Sequence, residues 1–152
     1  MSRQDTAHGT PAAIGEALYG LATRAARRLP RDMSLTSAAT LATLERTGPR
    51  RITDLAAVEG VTQPAMTSLV RVMEESGLVE RRGDASDRRV TLVCLTEAGA
   101  SYVRTRRRAG VDAFERLIGG LTRDEVEALA AALPALKHLA ELESRDREGP
   151  GR

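Results

Sequence analysis

Residues 52–99 read ITDLAAVEGVTQPAMTSLVRVMEESGLVERRGDASDRRVTLVCLTEAG. The reading of this run decides the fold. Thr53 is placed to cap a short helix, DLAAVEG, that stops at Gly60. Val61-Thr62 forms a turn, and Thr62 caps a second helix, QPAMTSLVRVMEESG. Pro64 falls in the first turn of that helix, where a missing N–H costs nothing, and Gly77 marks its end. Leu78 to Arg82 and Arg89 to Leu95 read as strands, joined by the turn formers Gly83-Asp84-Ala85-Ser86-Asp87. In the return strand Thr91, Val93 and Leu95 share one face, and Val90, Leu92 and Cys94 share the other.

Two short helices that cross need a small residue at their contact. They also need a turn residue that tolerates unusual backbone angles, and apolar anchors under the second helix. Ala56, Gly60, Met66 and Leu69 supply these at offsets of 4, 10 and 13 from Ala56. Followed by a hairpin, the pattern is that of a winged helix-turn-helix. The second helix of such a unit enters the major groove N-terminus first. Its polar positions Gln63, Thr67, Ser68 and Arg71 suit base edges, with Gln63 matched to adenine and Arg71 to guanine or a phosphate. Thr62 and the open N–H groups of the first turn, where Pro64 also stands, suit a phosphate. The hairpin carries Arg81, Arg82, Arg88 and Arg89, a set suited to the negative potential of a minor groove. Asp87 sits among them either as a turn former or as a carboxylate that holds a neighbouring Arg extended. Against all of these stands the plainer reading of solvated helix and loop residues.

The rest of the chain bounds the class. With 152 residues, one domain plus an arm is expected. Hydrophobic residues make up 41% but aromatics only 2%, so the core must be aliphatic, which favours helices. The net charge of +2 is unevenly spread: Arg46 to Arg108 holds 12 Arg against 8 acidic residues, so the positive charge is expected on the reading head. Lys137 is the only Lys, a composition bias that weakens arguments from Arg over Lys. Cys94 is the only cysteine, so no internal disulfide can form. There is no charged-then-apolar leader pattern and no membrane-length apolar run, and a cytoplasmic protein is expected.

Outside the head, residues 1–9 are polar and expected to be disordered. Residues 10–33 carry a first helix from the cap Thr10-Pro11 to about Leu29, with Ile14, Leu18, Leu21, Ala25 and Leu29 at helical spacing and Pro30 at its end. The DNA-binding unit spans residues 34–96; Ser34-Leu35-Thr36 opens its first helix, with Thr36 the better cap candidate, and that helix carries Leu41 and Leu44 and is closed by Gly48-Pro49. Arg50-Arg51-Ile52 can add a short strand. Residues 97–143 form two further helices: one capped by Thr96 and running to Ile118, the next opened by the capping box Thr122-Arg-Asp-Glu125. Val126, Leu129, Leu133, Leu136 and Ala140 repeat at three and four, a heptad seam, which Pro134 is expected to kink or unwind locally. Residues 144–152 read as a flexible tail. The first and last helices cannot bury their apolar stripes against so small a head, and pairing two chains would bury them.

The stretches LTSAATLATL, from Leu35, and ITDLAAVEG to LTEAG resemble the MarR family of bacterial regulators, of the multiple-antibiotic-resistance type. The most specific parts are the D-x-R pair in DASDRR and the L-T-E-A-G that restarts the helix. The resemblance implies a mainly α fold with a small β wing, a homodimer built through an N- and C-terminal helical arm, and a double-stranded, pseudo-palindromic operator. It places the family's wing arginine on Arg89 and its orienting aspartate on Asp87. It also implies a small-molecule cleft between arm and head, for aromatic carboxylates, phenols or lipophilic drugs. Tyr19, Ala22, Arg27, Leu35, Leu41, Tyr102 and Arg106 are candidates for that cleft, with core packing as the alternative.

No enzyme, cofactor or metal site is expected. His8 and His138 have no nucleophile or ligand partner nearby in sequence. Cys94, on the strand face opposite Val93 and Leu95, is open to redox sensing if it is partly exposed there, although a small strand-filling residue is the plainer reading. The expected function is a repressor whose DNA affinity a small ligand lowers. The alternatives are a DNA-binding regulator with no effector, one that responds to oxidation through Cys94, and a winged helix used for protein docking.

Overall fold

A computed structural model of the chain describes residues 10–27, 32–84, 87 and 89–148. The chain divides into two compact units, residues 1–32 and 33–152. Among its described residues the smaller unit holds the helix α1 (Pro11–Ala26), whose cap Thr10 accepts a hydrogen bond from the Ala13 N–H at 3.3 Å. The expected end of this helix near Leu29, Pro30, and the N-terminal tail of residues 1–9 lie outside the described residues.

The larger unit runs α2 (Leu35–Thr47), β1 (Arg50–Arg51), α3 (Ile52–Val58), α4 (Gln63–Glu75), β2 (Val79–Gly83), β3 (Thr91–Leu95), α5 (Glu97–Ile118) and α6 (Arg123–Glu148). The fold is mostly helical with one antiparallel sheet, in the strand order β1-β3-β2. The short Arg50-Arg51 strand pairs with the wing's return strand, Arg50 opposite Val93 and Arg51 opposite Leu92.

The core is aliphatic, as the composition required. Leu41, Leu44, Leu55, Ala56, Met66, Val70, Met73, Val79, Val93 and Val103 form one buried cluster. Burial of this kind of surface is the main stabilising term, at about 25 cal/mol per Å² of apolar area. It locks the first helix of the head, α2, against α4, β3 and the start of α5. A stripe of hydroxyls on α2 joins the core. Thr40 is fully buried, with its hydroxyl donating to the Thr36 carbonyl at 2.8 Å, and Thr43 donates to Glu59 at 2.9 Å. Each buried hydroxyl is thus satisfied, as low-dielectric burial demands.

Two caps differ from expectation. Helix α2 is capped by Ser34, whose Oγ accepts from the Ser37 N–H at 3.0 Å; Thr36 already lies inside the helix. Helix α3 starts one residue early, at Ile52, with Arg51 in the cap position and no side-chain cap bond. Arg51 is already extended through its strand pairing, and Ile52 packs on the core, so helix formation begins before Thr53 can cap it.

Helix α6 also departs from expectation. It remains helical through Pro134, without local unwinding there, and runs on to Glu148, past the point where a tail was expected at residue 144. Proline removes one N–H, but Ala130 is exposed, so its unpaired carbonyl can turn to water. An ion pair between Glu141 and Arg145, in the favourable i, i+4 order, supports the late turns. The chain beyond Glu148 lies outside the described residues. Among the described residues, no helix is long and apolar enough to cross a membrane.

Candidate DNA interface

Helix α3 ends in a Schellman motif. Gly60, with φ at 64°, donates to the Ala57 carbonyl at 3.2 Å, and Val61 donates to the Ala56 carbonyl at 3.0 Å. A left-handed residue is needed there, and glycine takes that conformation without the Cβ penalty. The turn delivers Thr62, whose hydroxyl accepts from the Ala65 N–H at 3.4 Å and opens α4. Met66, Val70 and Met73 are buried, and Leu69 packs beside them, so the opposite face of α4 is fixed outward.

That outward face carries the residues singled out in the sequence. Thr62, Gln63, Pro64, Thr67, Ser68 and Arg71 are all exposed. Thr67 donates to the Gln63 carbonyl at 2.9 Å and Ser68 to the Pro64 carbonyl at 3.1 Å. Both hydroxyl protons are thus held by the helix, leaving each oxygen outward as an acceptor. Arg71 lies 3.8 Å from Glu75, with both side chains largely in solvent.

A second Schellman turn at Gly77 (φ 71°) leads from α4 into the wing. The pairing of β2 with β3 runs from Val79 opposite Leu95 to Gly83 opposite Thr91. At the tip, the Asp84 N–H reaches the Val90 carbonyl at 2.9 Å, and the Val90 N–H reaches the Asp87 carbonyl at 2.9 Å. Asp87 then does two things. One carboxylate oxygen accepts from the Arg89 backbone N–H at 3.0 Å and from the Arg89 Nε at 3.2 Å. The Arg89 side chain, 93% exposed, is therefore aimed outward while its near end is held. Of the two roles open to Asp87 in the sequence, both occur together: it shapes the turn and it holds an arginine. Arg88 lies outside the described residues.

The base of the wing is fastened to α5. The Thr96 N–H donates to the Leu78 carbonyl at 3.1 Å, and the Thr96 hydroxyl donates to the Gly77 carbonyl at 2.7 Å. The same hydroxyl oxygen accepts from the Gly99 N–H at 3.0 Å, as the helix cap. Gly99 is buried, and a Cβ there would overlap the Leu78 carbonyl oxygen and meet Leu95 Cδ1 at 2.8 Å. The L-T-E-A-G run is thus a joint in which a cap and a close approach occur within four residues.

Carboxylates meet the wing and helix arginines more widely than the sequence suggested. Arg81 pairs with Glu74 of α4 at 3.4 Å, and Arg82 pairs with Glu80 two residues earlier on the same strand face. These acidic partners were missed because Glu74 and Arg81 come together only when the wing folds back on α4. The expected concentration of positive charge also needs correction. Residues 62–91 hold five Arg and five acidic residues, so the surplus belongs to the flanks, in Arg46, Arg50, Arg51 and the arginines of α5.

The ligand-cleft candidates are divided between the two units. Tyr19, Ala22 and Arg27 belong to the smaller unit and are exposed, and Leu35 is exposed in the larger unit. Leu41 has no accessible surface; it is a core residue and cannot line a cleft, because α2 turns it under the head. Tyr102 and Arg106 do meet, with Arg106 Nη1 donating to the Tyr102 hydroxyl at 3.2 Å, both half-buried. A shallow groove of about 370 Å³ lies elsewhere, lined by Arg46, Ala140, Glu141, Ser144 and Arg145. Cys94 is only 6% exposed in the central strand, where helices α2 and α5 pack on β3, in keeping with the plainer reading of a small strand-filling residue.

Comparison with known proteins agrees with this architecture. The profile described as "MarR family" matches residues 33–91. Over 100 residues the chain is 32% identical to an HTH-type transcriptional regulator of Mycobacterium bovis, covering 66% of this chain and 70% of the relative. The chain belongs to the MarR family. Among solved structures, a transcriptional regulator of Thermotoga maritima superposes with a TM-score of 0.73 at 22% identity, covering 84% of this chain and 94% of the other. MepR, a transcription regulator of the Staphylococcus aureus multidrug efflux pump MepA, gives 0.66 at 23% identity, covering 88% and 98%. As a MarR-family member, the chain is a transcriptional regulator with a DNA-binding winged helix-turn-helix fold, and not an enzyme.

Proposed function

We propose that the protein is a cytoplasmic homodimer that binds a pseudo-palindromic operator and represses transcription until a small ligand loosens it. One observation carries the DNA reading. The polar edge of α4, from Gln63 to Arg71, stands exposed on a helix whose other face is locked in the core. Beside it the wing presents an arginine held by Asp87. In this reading Gln63, Thr67, Ser68 and Arg71 meet base edges, Thr62 and Pro64 lie against a phosphate, and Arg82, Arg88 and Arg89 follow the minor groove. Asp87 contributes by orientation and not by contact with the backbone.

The dimer is supported by apolar surface that stays exposed among the described residues. Phe114, Leu117, Leu129, Leu133, Leu136 and Leu139 are all exposed, and residues 123–146 of α6 include none that is buried. So large an apolar surface marks an interaction face. The seam has the spacing that suits a second copy. Two heads paired by a two-fold axis call for half-sites about one helical turn, ~34–36 Å, apart. The effector is an aromatic or lipophilic molecule, including anionic ones, for which the Tyr102 ring and Arg106 guanidinium offer matching chemistry. It acts only if it binds the DNA-incompetent arrangement more tightly. A redox response through Cys94 loses support, since its sulfur is buried.

Selection from a pool of random duplexes, followed by sequencing, tests this reading. Two-fold-related half-sites are expected. Gln63→Ala and Ser68→Ala should each alter sequence preference by about 1–3 kcal/mol, whereas Arg89→Ala should weaken binding to all duplexes and lower the salt slope by about one. An absence of salt-dependent duplex binding would overturn the DNA reading and leave a protein-docking role. Release of the selected duplex by an aromatic carboxylate separates the ligand-responsive regulator from one without an effector.

A further inference from the structure

The charge arrangement of the interface points to a group of residues that set specificity by restraint. Each described arginine of α4 and the wing faces a carboxylate: Arg71 with Glu75, Arg81 with Glu74, Arg82 with Glu80, Arg89 with Asp87. Residues 62–91 carry no net charge, although the flanks are basic. Phosphate attraction is the source of nearly all non-specific binding, and its strength follows the number of phosphates neutralised. An arginine held by a neighbouring carboxylate neutralises little, and the carboxylate itself repels the backbone. Asp87 bonds the Nε of Arg89 and leaves the far end of that guanidinium open. Glu80 is different, because it meets the terminal Nη2 of Arg82.

We propose that Glu74, Glu80 and, more weakly, Glu75 are specificity-determining residues of the DNA interface. They hold Arg81, Arg82 and Arg71 back from phosphates on unrelated DNA. The arginines leave their carboxylates only where base contacts from α4 bring the head fully into the groove. Exposed ion pairs are weak, so the exchange is readily reversed. The order of effect follows the geometry. Glu80 is in direct contact with the Arg82 guanidinium, Glu74 lies 3.4 Å from Arg81, whose side chain is 35% exposed, and Glu75 lies 3.8 Å from Arg71, whose side chain is 70% exposed. The inference rests on the DNA-binding reading given above.

The test uses the full-length protein with two fluorescent duplexes, one of scrambled sequence and one selected by the native protein, over a salt series. Glu80→Gln and Glu74→Gln keep the side-chain shape and remove the charge. Each released arginine should steepen the scrambled-duplex salt slope by about 0.9 and raise that affinity about five-fold at 0.15 M salt. Affinity for the selected duplex should rise less, so the ratio between the two duplexes falls. Glu75→Gln should show the same change, but smaller. Glu127→Gln, which removes a carboxylate paired with Arg123 on α6 at 2.9 Å, is the control for net charge and should change neither slope nor ratio. The proposal is overturned if Glu80→Gln and Glu74→Gln leave the scrambled-duplex slope unchanged, lower that affinity, or act no more strongly than Glu127→Gln. If the native protein binds neither duplex in a salt-dependent way, it is the DNA reading itself that fails.

Discussion

Helix α5 is one continuous element with two different halves. Its first turns carry the buried Gly99 and Val103 and are fastened to the base of the wing through Thr96. Its last turns expose Val111, Phe114, Leu117 and Ile118, and α6 continues that exposed apolar surface. The head therefore closes its core within one chain, whereas the arm leaves its apolar stripe for something else. The contrast teaches that helical periodicity reports which face is apolar but not what covers it. It also separates two kinds of stability: that of the head should be independent of protein concentration, and that of the arm should not.

The contrast can be broken at its strongest point first. Leu41→Ala removes a side chain with no accessible surface, and urea unfolding should register a loss of about 2–5 kcal/mol. A much smaller loss would mean that the head core is looser than its packing implies. The matching change in the arm is Leu133→Ala. Leu133 is already 51% exposed in the single chain, so about half of a leucine's ~1.5–3 kcal/mol is available per copy, and two copies would meet in the proposed dimer. Sedimentation should show dimer affinity reduced by about 1.5–3 kcal/mol with the helical signal kept. Unfolding that is lowered equally at all protein concentrations would erase the distinction.

The junction between the regions is sharpened by Gly99→Ala. The added methyl has no room beside the Leu78 carbonyl, so the start of α5 must shift, at a cost of about 1–3 kcal/mol. Because the wing base hangs on the same joint, duplex binding should fall further than stability alone requires. The smallest expected effect lies at the start of α6. The Thr122 backbone N–H, and then its hydroxyl, donate to the Glu125 carboxylate and hold its pKa below the ordinary glutamate value. The contribution of this cap to stability is present at pH above that ordinary value. It is lost as pH falls through the lowered folded value. Glu125→Gln should flatten this part of a pH-dependent thermal melting curve and leave the neutral-pH helix content nearly unchanged.

Much of the head was legible because its signals are local. Gly60 and Gly77 take the positive φ that their helix ends require, and Thr62 and Thr96 cap the helices they precede. The capping box at Thr122 and Glu125 forms with both reciprocal bonds. The errors came where a distant partner outweighed a local preference. Pairing of Arg51 with Leu92 began α3 ahead of Thr53. Leu41, proposed for a cleft, went to the core because α2 packs through that face.

The sequence by itself determined the order of elements, the polar edge of α4 and the apolar stripes, since these follow from spacing along one chain. Only the tertiary structure decided which charges meet. Glu74 and Arg81 are seven positions apart and on different elements, and they reach 3.4 Å only because the Gly77 turn folds the wing against α4. The same folding brings Gly99 against Leu78 across 21 positions, a closeness that no local preference encodes. Charge pairing and close packing depend on distance in space, and a sequence specifies that distance only through the completed fold.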